Sequence, residues 1–108
     1  MSTITDHPHH THFDAAMLDT YHRAKRECRY HATYFLRLLE ELGGVAAAKR
    51  LLASENPAAG LTTLWECGRL DLSVEAKVLL PEFAELFTEE ERAVAKARLQ
   101  AFGYKLPP

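Results

Sequence analysis

From Phe13 to Leu42, apolar residues recur three and four positions apart: Phe13, Met17, Tyr21, Ala24, Cys28, His31 or Ala32, Phe35, Leu38 or Leu39, and Leu42. That period belongs to a helix with one buried stripe. The spacing predicts a single N-terminal helix of roughly eight turns. Gly43-Gly44 stops it, because glycine accepts the left-handed conformation of a helix C-cap. Val45, Ala48, Leu51 and Leu52 mark a short second helix. "SENPAAG" (54–60) reads as a loop, since proline and glycine interrupt it.

"LTTLWECG" predicts a third helix carrying Leu61, Leu64 and Trp65, with the Trp65 ring expected in the core. "RLDLSVEAKVLL" predicts a fourth, capped by Asp71 or Ser73. "PEFAELF" reads as a short helical turn. Thr88-Glu89-Glu90-Glu91 fits a capping box, with the threonine bonding forward and Glu91 reaching back. Ala95, Leu99 and Phe102 line the last helix, and Gly103 ends it. No segment alternates with period two for long enough to predict a strand. The expected fold is all-α: a compact bundle of about five to six helices, with a long N-terminal helix packed by shorter ones. A histidine-rich tail, 1–11, is expected to be flexible, and 12–108 to form a single domain.

Charge narrows the function classes. The 108 residues carry 13 Lys+Arg against 15 Asp+Glu, a net charge of −2. Binding to nucleic acid would therefore need a local patch. "YHRAKRECRYHATYF" (21–35) offers one. On a continuous helix, Tyr21, Ala24, Cys28 and Phe35 fall on the core side, and His22, Arg23, Arg26, Arg29, Tyr30 and Arg37 fall opposite. Such a face could follow phosphates while Tyr30 stacks on a base. Acidic neighbours compete for it: Asp19 and Glu27 stand at pairing distance from Arg23, and Glu40 and Glu41 near Arg37.

The chemical constellations are sparse. Glu27 and His31 lie one predicted turn apart, so a carboxylate could orient an imidazole as a base. A core histidine is the plainer expectation for His31. Asp71 and Glu75 could act as paired carboxylates or hold magnesium, or serve as a cap and a surface ion pair. "HPHHTH" gathers His7, His9, His10 and His12 without the preformed geometry of a metal site. There is no phosphate loop, HExxH or paired CxxC, and no cofactor or metal is expected.

Cys28 and Cys67 have no zinc-type spacing and are expected to be reduced, with Cys28 inert in the core. No apolar run reaches spanning length and the start is unlike a signal peptide, so the expected compartment is the cytoplasm and no membrane partner is foreseen.

From Tyr21 to Tyr104 the chain resembles a family of small, largely uncharacterised bacterial helical proteins and appended domains. The resemblance rests on "AKRECRYHATYFLRLLEELGG", "AAKRLL", "LWECGRLDLSVEAKVLLPEF" and "LFTEEE…ARLQAFGY". It implies an association with restriction-type nucleases and an accessory role, and assigns no catalytic residue. The expected function is thus an intracellular interaction module contacting nucleic acid or a nucleoprotein partner through the basic face. The alternatives are a small enzyme or metal-dependent nuclease component using Glu27/His31 or Asp71/Glu75, and a structural helical homodimer.

Overall fold

The computed structural model describes residues 8–54 and 58–105. The chain is all-helical among these residues: α1 (Pro8–Cys28), α2 (Thr33–Leu42), α3 (Gly44–Ala53), α4 (Ala58–Glu66), α5 (Val74–Val78) and α6 (Glu89–Ala101), with 3₁₀ turns at Leu70–Leu72 and Pro81–Leu86. The helix begins at Pro8, so it includes residues 8–11 of the segment read as a tail. α4 likewise starts at Ala58, within the stretch read as a loop.

The long first helix is not continuous. It breaks after Cys28, where Arg29 takes a left-handed backbone (φ 54°). The Tyr30 N–H then reaches back to the Ala24 carbonyl, as helix ends commonly do. The usual residue there is glycine, so an arginine concealed the stop. The three-four rhythm of Cys28, Ala32 and Phe35 runs across the break and conceals it further.

Other punctuation follows local chemistry. Gly43 is left-handed, φ 82°, and joins α2 to α3 with no residue to spare. Gly44 has a different reason to be small: a Cβ there would meet Asp14 Oδ1 at 2.5 Å and Phe13 Cδ2 at 3.2 Å. Its N–H donates to that Asp14 carboxylate at 2.6 Å, an acceptor suited to the positive end of α3. Ser73 is the cap of α5 and accepts from the Ala76 N–H at 3.0 Å. The Thr88–Glu91 capping box is complete at 3.1 and 2.9 Å. Burial opposes the charge on Glu91, but hydrogen bonds from Lys49 and the Thr88 backbone outweigh it and hold its pKa low.

Two apolar clusters build the core. In one, Phe13 packs edge-on against Phe83 and Phe87, centroids 4.9 and 5.2 Å apart, with Met17, Phe35, Leu52 and Val78 around them. The other joins Ala24, Leu61, Leu64, Leu70, Leu72 and Leu99. Tyr30 touches both, so the break in the first helix turns a predicted surface tyrosine into a wedge between the clusters.

Three further expectations are corrected. Cys28 and Cys67 are joined as a disulfide, with their Cα atoms 5.8 Å apart. That ties the end of α1 to the turn after α4 and withdraws reduced cysteines as an argument for the cytoplasm. Trp65 is 51% exposed: Leu61 and Leu64 take the inner face of α4, and the Trp65 ring leans on Phe102 with centroids 6.0 Å apart. Glu75, read as a surface charge, is 6% exposed. No helix among the described residues is long and apolar enough to cross a membrane.

Candidate binding cavity

The break at 29–32 scatters the six residues assigned to one basic face. His22 is exposed on α1, and Arg26 has a side chain 68% exposed. Arg29 is exposed in the break and Arg37 on α2. Arg23 is committed to Glu27 at 3.1 Å and to Asp19 at 4.0 Å. Tyr30 is half-buried, its hydroxyl against Gly60 of α4, where a Cβ would sit 2.8 Å from it. The aromatic ring on the outside is instead Tyr34, 61% exposed in the first turn of α2.

The proposed acid–base pairs are not assembled. Glu27 receives Arg23 and Arg69, and these hydrogen bonds hold its pKa below the ordinary value. His31 lies in the break and is exposed, not a core histidine. Asp71 takes two bonds from Arg69, Nε to Oδ1 at 3.0 Å and Nη2 to Oδ2 at 3.1 Å, which lower its pKa. Glu75 pairs with a different arginine, Arg98. Glu27 and Asp71 thus share Arg69, Glu27 also meets Arg23 and, at 3.8 Å, Arg26, and Glu75 has Arg98; no group of three or more histidine, cysteine, aspartate or glutamate side chains is placed to hold a metal among the described residues. His7 lies outside the described residues, as do the side chains of His9 and His10; His12 is exposed on α1.

What the break does create is a cavity of about 670 Å³ between α1, the 29–32 segment, α3, α4 and α6. Its walls include Tyr21, Ala24, Phe35, Leu61, Leu64 and Leu72, and its rim His31, Tyr34 and Arg50. Polar side chains share the lining: Thr20, Ser73 and Glu75, which are buried, and Tyr30 and Arg98, which are partly buried. Thr20 is 4% exposed and its Oγ1 has no hydrogen-bond partner among the described residues. Such a buried orphan is uncommon.

Arg98 organises this end. Its Nη1 donates to the Leu51 carbonyl at 3.1 Å and to Glu75 Oε2 at 3.2 Å. Its Nη2 donates to the carbonyls of Leu52 at 3.1 Å and Ser54 at 2.6 Å. The guanidinium therefore caps the C-terminus of α3 and neutralises a buried carboxylate at once. Burial raises the Tyr30 phenol pKa, and the charge of Glu75 raises it further.

Sequence reasoning named Glu75, but with Asp71, and missed its partner Arg98, which lies 23 residues away. One local signal did exist. Leu72, Glu75 and Val78 are spaced by three, so a helical reading puts Glu75 on the same face as two buried residues. The chain matches no family model, no curated protein and no solved structure.

Proposed function

We propose that this chain is a small helical binding module that takes its ligand in the cavity beside the α1–α2 break. The observation that carries this reading is the wall of that cavity: a largely apolar concavity with a few buried polar groups in its lining, which is the usual build of a small-molecule site. It favours binding over catalysis. A general base needs a proton acceptor aimed at substrate, and a nucleophile needs a base beside it. Here Glu75 is held by Arg98, and the Ser73 hydroxyl accepts from the Ala76 N–H as a helix cap.

The test is a fragment screen read by protein-amide NMR. Small apolar fragments are expected to move the signals of Leu61, Leu64 and Leu72. Ala53→Trp, which places a large ring at an exposed lining position, is expected to reduce those shifts. Fragments that shift only the surface around Arg26 and Arg29, or none at all, would refute the cavity reading.

A second reading has one observation in its favour. Arg26, Arg29 and Arg37 are exposed, so an accessory role on nucleic acid or a nucleoprotein partner would rest on these three, without Arg23 and Tyr30. Three contacts give a log–log salt slope of roughly 2 to 3. Absence of binding to labelled single-stranded DNA or RNA at low salt removes this reading.

A further inference from the structure

We infer that the cavity takes a small amphipathic amine, with its ammonium on Glu75 beside the Tyr30 hydroxyl and its hydrocarbon among Leu61, Leu64 and Leu72. This rests on the cavity reading above and names its ligand class.

A guanidinium has four terminal N–H groups, two on each Nη. In Arg98 all four have acceptors: two bonds leave Nη1 and two leave Nη2. Three of those acceptors are carbonyls at the end of α3. A helix C-terminus carries about half a negative charge. Arg98 therefore serves a full carboxylate and a helix end together, and its terminal donors are spent on them; the other lining cation, Arg50, lies in the last turn of α3 and is exposed. An anionic ligand would find no terminal Arg98 donor and would face Glu75.

Among the described residues the hydrogen bond of Glu75 is the one to Oε2 from Arg98. A carboxylate has about four acceptor positions, so Glu75 can take further donors besides Arg98. Tyr30 and Thr20 contribute hydroxyl oxygens, which accept as well as donate, in the same wall. The polar end is thus rich in acceptors. A primary ammonium, with three donors and no acceptor, complements it. A neutral alcohol supplies one donor and no charge.

The remainder of the ligand is set by the walls. Leu61, Leu64 and Leu72 are each buried on the apolar side, so a short aliphatic or aromatic tail is accommodated there. At the rim, Arg50 and His31 are the basic groups nearest solvent.

The experiment titrates the full chain, oxidised, at neutral pH with three probes of similar hydrocarbon content: 2-phenylethylamine, 2-phenylethanol and 3-phenylpropionate. Amide NMR locates binding and calorimetry measures affinity. The amine is expected to bind about tenfold more tightly than the alcohol, the difference between charge-assisted and neutral hydrogen bonds, with 3-phenylpropionate weakest. Glu75→Gln is expected to remove that preference. Because Glu75→Gln also disturbs a buried ion pair, Tyr30→Phe and Thr20→Val provide the second measure. Each deletes one hydroxyl while leaving a side chain of similar shape, and Tyr30→Phe is expected to weaken the amine severalfold more than the alcohol with the fold unchanged by circular dichroism. Equal affinity for amine and alcohol, or preference for 3-phenylpropionate, with shifts at Leu61, Leu64 and Leu72 would overturn the amine assignment and leave the cavity standing. No shift at those residues with any probe would overturn both.

Discussion

Opening the Cys28–Cys67 disulfide is the perturbation whose size follows most directly from the chain's connectivity. The bond closes a segment with a sequence separation of 39. Confining a loop of that length in the unfolded ensemble is worth about 4 kcal/mol at 25 °C by the chain-entropy relation. A domain of this size has a total stability of roughly 5–15 kcal/mol, so the bond carries a large share of it. Little packing is lost with the sulfur, because Cys67 is exposed and Cys28 only partly buried. Cys67→Ser, or reduction of the native chain, should therefore lower stability by about 4 kcal/mol. At a urea m-value of about 2 kcal/mol per molar, the midpoint should fall by roughly 2 M. The assay is urea unfolding followed by circular dichroism, for the native chain with and without reductant and for Cys67→Ser. The reduced native chain and the variant should unfold together, well below the oxidised chain. If the oxidised native chain and Cys67→Ser share one midpoint, or if unfolding the native chain without reductant releases two titratable thiols, the pairing and the reasoning built on it are wrong.

Three other outcomes are expected. Arg98→Met leaves the Glu75 carboxylate buried without its cation and should cost about 3–5 kcal/mol; adding Glu75→Gln should recover part of that, which a thermal melt of the double variant checks. Trp65→Ala should cost about 1–2 kcal/mol, well short of the 3–5 of a fully buried ring, and Trp65 fluorescence should be readily quenched by iodide in the native state. Glu27 and Asp71 have folded pKa values depressed below 4.5 and 3.8, so the stability they contribute is complete above those values and is lost as pH falls through the lower folded ones; Arg69→Met should flatten the acid limb of stability against pH, and an unchanged limb would count against the Arg69 link.

The all-helical class was legible because it depends on short-range information. Helix period, the Thr88 capping box, the Ser73 cap and the glycine stops at 43 and 103 are each written within a few residues of sequence. The break after Cys28 was not legible, because its left-handed residue is Arg29, a residue type with no special preference for that conformation. Once the break is present, the consequences spread. Tyr30 leaves the basic face and lodges against Gly60, and the first helix no longer offers a straight row of cations.

The motif "LWECGRLDLSVEA" then acquires a physical reading, residue by residue. Cys67 bonds to Cys28, and left-handed Gly68, φ 76°, turns the chain. Arg69 bridges Glu27 and Asp71, while Leu70 and Leu72 enter the core. Ser73 caps α5, and Glu75 receives Arg98. Most of these residues hold α4, α5 and α1 in register, which is a structural task. Glu75 is where that task and the candidate ligand meet. A buried ion pair is weak evidence for stability, since apolar residues of similar volume often serve as well or better. Its energetic cost is easier to understand if the carboxylate also serves the cavity, where it can bind a donor that an apolar residue could not. If a well-packed apolar replacement of both Glu75 and Arg98 gave a chain that kept the full 2-phenylethylamine affinity, the carboxylate would have no part in binding and the pair would be structural alone.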